Sequence, residues 1–128
     1  MPRFITVAEV IAIHDDQINR FGGSPGIRDV GLLESAIAQP EATFFGELLH
    51  PTIASQAAAY LFHLSRNHAF LDGNKRTALA IADTFLFVNG YKLTFSDDDL
   101  YNLVQNLAQG LMDKDTATTL IADNLVKE

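Results

Sequence analysis

Two apolar runs, Ile53 to Leu64 and Ala78 to Val88, place the strongest constraint on how this chain folds. The first is rich in alanine and the second is almost continuously apolar, so both read as helices of a protein core. Between them stands His68-Ala69-Phe70-Leu71-Asp72-Gly73-Asn74-Lys75-Arg76. That stretch gathers a base, a carboxylate, an amide and two cations at the edge of a core. Such polar density calls for a structural explanation or a chemical one.

The flanking chain extends the helical reading. Thr6-Val7-Ala8-Glu9 is a capping box, and Val7, Val10, Ile11, Ile18 and Phe21 keep helical spacing up to Gly22-Gly23, a left-handed cap signal. His14 lies on that apolar face and reads as a packing histidine ahead of a catalytic one. After the turn Ser24-Pro25-Gly26, Asp29 caps a short helix that Pro40 stops. Arg20 and Arg28 flank this turn, either solvated or facing an anion or a partner's carboxylate. Residues 41–51 read as a short helix, an ordered flap or part of a binding groove, with Phe44, Phe45, Leu48 and Leu49 apolar.

Thr52 caps a helix over about residues 53–67, and Asn74 reads as the N-cap of a buried central helix ending near Asn89-Gly90. Asp83 is that helix's polar exception. Tyr91 to Phe95 alternates, yet a lone extended run makes no sheet. Ser96 to Asp99 reads as a second capping box before a helix ending at Gly110, and a last helix is expected from Asp115 to Val126. The expectation is an all-α, compact bundle of about six helices in one domain, residues 1–128.

Charge narrows the partners. With 16 Asp+Glu against 9 Lys+Arg, the net charge of −7 disfavours broad binding of nucleic acid or anionic membrane. There is no cysteine, so thiolate chemistry is excluded. No run approaches the roughly 18 apolar residues of a membrane span, and the expected location is cytoplasmic.

Lys75 and Arg76 fall in the first turn of a helix, where cations oppose the helix dipole at about 0.3–1 kcal/mol each. Elsewhere the chain puts acids there, Glu9 and Asp99. Free amides and two cations together suit an anion, most naturally a phosphate. His68 suits a general base, Asp72 one position on Mg²⁺, Phe70 an anchor in the core, and Gly73 a tight turn. A structural reading stands beside this one: His68 capping the preceding helix, Asp72 paired with Arg76, and Lys75 solvated.

The stretch His68 to Thr77 resembles the active-site motif of the Fic/Doc superfamily, and specifically its Doc (death on curing) branch. The resemblance extends to Asn19-Arg20-Phe21-Gly22-Gly23, Gly26 to Asp29 and Gly31 to Ala36. Fic proteins that transfer AMP typically read His-Pro-Phe-x-Asp/Glu-Gly-Asn-Gly-Arg-x-x-Arg. Here Ala69 stands for the proline, Lys75 for the second glycine and Leu79 for the last arginine. The lysine obstructs phosphates lying against the loop while adding a cation, as in Doc.

The resemblance implies a toxin of a type II toxin–antitoxin pair, a protein kinase that uses ATP and Mg²⁺ to phosphorylate a threonine of elongation factor Tu and arrest translation. It implies His68 as base and Asp72 as metal ligand and orienting carboxylate. Gly73, Asn74, Lys75 and Arg76 are implied around the ATP phosphates, with Arg66 assisting. The implied partner is a Phd-type antitoxin whose C-terminal segment lies as a helix in a groove. AMP transfer and a catalytically silent antitoxin-binding module are the competing expectations.

Overall fold

The computed structural model describes residues 2–128. Six α-helices carry the fold: α1 (Val7–Phe21), α2 (Val30–Ala38), α3 (Ile53–Arg66), α4 (Asn74–Val88), α5 (Asp97–Ala108) and α6 (Lys114–Asp123). Two antiparallel two-stranded sheets join them, β1 (Thr43–Phe44) with β2 (Glu47–Leu48) and β3 (Tyr91–Leu93) with β4 (Leu125–Lys127). The expected helical bundle is therefore present, trimmed with short β pairs.

The two apolar runs form the centre. Ala54, Ala57, Ala58, Ala59, Tyr60, Leu61 and Leu64 of α3 are buried, as are Ala78, Ile81, Ala82, Phe85 and Leu86 of α4. Alanine removes side-chain bulk from α3, so α4, α5 and α6 all pack directly on it. The Tyr60 hydroxyl accepts from Ile5 N at 2.9 Å, which ties the N-terminal segment to the core. Burial pushes that phenol up to about 12, so it stays protonated. On α4, Asp83 stands exposed and needs no protein partner.

The helix starts follow local chemistry. Thr6 with Glu9, and Thr52 with Ser55, form complete capping boxes, while Asp29 and Asp113 cap α2 and α6. Ser96 caps α5 through Asp99 N, but the return bond of the expected box is missing. Aspartate is one methylene shorter than the glutamate such a box employs.

Three expectations are corrected. Residues 41–51 form no α-helix. A short 3-10 turn, Gln39–Glu41, leads into the β1–β2 hairpin, whose turn residues Phe45 and Gly46 have φ of 50° and 81°. Positive φ at both central positions matches the twist of a two-residue hairpin, and the flap reading survives. The last helix ends at Asp123, because Leu125, Val126 and Lys127 pair with Leu93, Lys92 and Tyr91. The extended run at Tyr91 thus gains a partner from the other end of the chain. Finally, the N-cap of α4 is Gly73, not Asn74.

Candidate active site

The loop between α3 and α4 is held from below and from one side. Ala69 and Phe70 are buried, while His68, Leu71 and Asp72 face outward. The α1–α2 connection runs antiparallel to the loop with a bridge between Ile27 and Phe70. Arg28 N and Asp29 N donate to Ala69 O at 2.8 and 3.0 Å, and Leu71 N donates to Gly26 O at 3.1 Å. Arg28, flagged in the sequence only as a cation near a turn, donates through Nε to His68 O at 2.7 Å. These bonds stabilise His68 at φ 50°, a left-handed conformation that costs a non-glycine residue roughly 1–2 kcal/mol. The imidazole is thereby presented to solvent from a constrained backbone.

Asn74 explains why its expected capping role fails. Its Oδ1 accepts from Phe70 N and its Nδ2 donates to Phe70 O, both at 3.0 Å. The side chain clamps the loop, and the turn into the helix passes to Gly73, whose φ of 75° and ψ of 20° are left-handed. Truncating Asn74 to alanine leaves two loop backbone groups unpaired beside the buried Phe70. We expect a stability loss of about 2–6 kcal/mol, at about 1–3 kcal/mol per unmade bond. Chemical denaturation of Asn74→Ala measures it.

Because Asn74 is occupied, no side chain caps α4, whereas Thr6, Asp29, Thr52, Ser96 and Asp113 cap the other five α-helices. The α4 N-terminus keeps its partial positive charge and adds Lys75 and Arg76 to it. Lys75 is exposed and its ammonium has no hydrogen-bond or ion-pair partner among the described residues. Arg76 donates to Gly22 O at 3.0 Å, with its guanidinium 5.5 Å above the Phe21 ring. It joins the end of α1 to the start of α4 rather than pairing with Asp72.

Asp72 lies at the rim of this N-terminus. One carboxylate oxygen accepts from Gly73 N at 2.8 Å and the other from Ser24 N at 3.2 Å. Those amides, Ser24 foremost and then Gly73, hold the carboxyl below its ordinary range. Asp72 is thus ionised at neutral pH, with lone pairs left for a cation. No group of three or more His, Cys, Asp or Glu among the described residues is arranged to hold a metal. A single carboxylate beside an anion site instead fits Mg²⁺ held mostly by water and phosphate oxygens.

The contact also explains Gly23. A Cβ there would stand 2.7 Å from Asp72 Oδ2, and φ is 120°. Gly23→Ala is expected to displace the carboxylate, lowering activity along with a stability loss of about 1–2 kcal/mol. Paired activity and denaturation measurements on this variant check it.

These groups open onto one cleft of about 520 Å³. His68, Asp72, Gly73, Asn74, Lys75 and Arg76 line it, while Ala69 and Phe70 of the same stretch anchor the loop beneath. Its opposite wall is apolar and comes from Leu79 and α5, with Tyr101, Val104 and Ala108, ending at the Gln109 amide. That wall was not foreseen. The available signal was Tyr101, a large aromatic outside the Leu103, Val104 and Leu107 face of an amphipathic helix, which the structure leaves 58% exposed. Arg66, by contrast, does not line the cleft. It lies over the Phe62 ring at 4.9 Å.

Residues 4–86 match the model of the Fic/DOC family. Over 104 residues the chain is 44% identical to "Toxin Doc" of Mycolicibacterium smegmatis, covering 80% of each protein. Over 123 residues it is 37% identical to "Protein kinase doc" of Escherichia phage P1, covering 96% of this chain and 93% of that one. With the family match spanning more than half of the chain and the two relatives aligned over 80% and 93% of their length, this protein belongs to the Fic/DOC family.

Proposed function

We propose that this protein is a Doc-type toxin acting as a protein kinase, which moves the γ-phosphoryl group of ATP to a threonine hydroxyl of elongation factor Tu and so stops translation in the cytoplasm. The observation that carries the reading is Lys75. Its free ammonium stands at an uncapped helix N-terminus over the cleft, where the AMP-transferring Fic motif has glycine. Relatives named as a toxin and as a protein kinase support the same reading.

Each side chain then has a task. His68 takes the proton of the attacking hydroxyl as the oxygen bonds to phosphorus and ADP departs. Lys75, Arg76 and the first amides of α4 stabilise the phosphate charge. Asp72 would hold Mg²⁺, which would neutralise phosphate charge when bound, and it orients the target hydroxyl. The loop clamp through Asn74 and Arg28 keeps these groups preorganised, so little reorganisation remains for the reaction itself.

A Phd-type antitoxin is the proposed neutralising partner, through a helix laid in an apolar groove. The exposed Phe44, Phe45 and Leu49 around the β1–β2 hairpin support an apolar docking surface on this chain.

Intact-mass measurement of elongation factor Tu after incubation with the protein, ATP and Mg²⁺ tests the activity. A phosphoryl increment on a threonine is expected. An adenylyl increment would replace the reading with AMP transfer, and an unmodified factor would reject this target.

A further inference from the structure

His14 is the one group of the α1 apolar face that core packing alone does not explain. It is only 1% exposed, and its ring lies flat on Phe70 with centroids 3.7 Å apart and planes 6° apart. Phenylalanine would serve that stack without burying ring nitrogens. Nε2, however, stands 2.9 Å from the backbone carbonyl oxygen of Asp72. A carbonyl only accepts, so Nε2 must carry the proton. Nδ1 lies 3.7 Å from Asp15 Oδ1, too far for a hydrogen bond.

The bonded carbonyl belongs to the peptide joining Asp72 to Gly73. There the chain turns from the loop, through the left-handed Gly73, into α4. Asp72 is thus restrained at three points. Gly73 N and Ser24 N set the two carboxylate oxygens, and His14 sets the peptide plane from which the side chain projects. Asparagine or glutamine would donate without the aromatic face, and phenylalanine would stack without donating. Histidine does both.

We propose that His14 is a positioning residue for Asp72, fixing from beneath the loop the direction in which the carboxylate meets metal and substrate. This rests on the proposed role of Asp72 in phosphoryl transfer. His14 touches no reacting atom, and it acts on Asp72 through the 72–73 peptide it donates to, with the Phe70 stack holding its ring in place.

The informative pair is His14→Phe, which keeps the stack and removes the donor, and His14→Gln, which keeps a donor and removes the ring. In His14→Phe, the Gly73 and Ser24 amides should exchange faster with solvent while the α3 amides stay protected. The kcat should fall about 10–100-fold, the usual effect of losing an outer-shell partner. KM for ATP should change little, because Lys75 and the α4 amides are untouched. His14→Gln should recover part of kcat.

In the wild-type protein, NMR of the His14 ring should show a slowly exchanging Nε2–H. A ring protonated only at Nδ1 overturns the proposal even if neither variant folds. Wild-type kcat and wild-type amide exchange in His14→Phe overturn it too, as does a kcat loss that follows α3 exchange, which marks a purely structural role. If the wild-type protein transfers no phosphoryl group, the kinase reading fails on its own. The exchange and ring measurements still decide whether His14 holds Asp72.

Discussion

Replacing His68 by alanine is expected to lower phosphoryl transfer by about 10²–10⁴-fold, the range for removing a general base, and to relieve growth arrest. The fold should survive, because the imidazole is exposed and makes no hydrogen bond among the described residues. What the loop needs from this position is its carbonyl, which Arg28 holds and any residue supplies. A glycine variant sharpens the expectation. With φ at 50°, glycine relieves strain, so His68→Gly should equal or exceed wild-type stability by up to about 1 kcal/mol while remaining as inactive as the alanine variant. Radiolabel transfer from ATP and thermal melting of both variants test the pair. Full transfer by His68→Ala would remove this imidazole from the chemistry, and unfolding of His68→Gly would make it a structural residue.

How far such roles are legible in a sequence depends on the range of the interaction. Helix starts at Thr6, Asp29, Thr52 and Ser96 were readable because a cap involves residues three apart. The buried faces of α3 and α4 were readable because helical periodicity is local as well. The loop's membership in a known motif identified the candidate site before any geometry was known.

What stayed hidden depends on contacts across the fold. Arg28 and the backbone it braces are 40 residues apart, and His14 and the Asp72 carbonyl are 58 apart. Neither pairing has a local signature. Asn74 misled for a related reason: capping and loop clamping use the same side-chain atoms, and the position of Phe70 decides between them. The β3–β4 pair was missed because strand Tyr91–Leu93 is completed by a segment from the end of the chain.

Lys75 gives the second large expected effect, and it has two opposite signs. Removing the cation takes one electrostatic contact from the phosphates in the transition state, and such a contact is worth about 10²–10³-fold in rate. Lys75→Ala should therefore lose that much transfer. The same change removes a positive charge from the first turn of α4, where no side chain caps the helix, so stability should rise by at most about 0.3–1 kcal/mol. Salt should shrink the stability gain, since Lys75 is exposed. Loss of activity with gain of stability is the signature of a residue kept for function against the preference of its helix. A merely solvated lysine would leave the rate unchanged, and one that supports the fold would lower both. Lys75→Gly extends the test by restoring the glycine of the AMP-transferring motif while Leu79 still stands at its last arginine position. If Lys75 selects the group transferred, this variant should gain adenylyl product at the expense of phosphoryl product, read by intact mass on one target. An unchanged product ratio would move that selection to Leu79 or to the α5 wall at Tyr101.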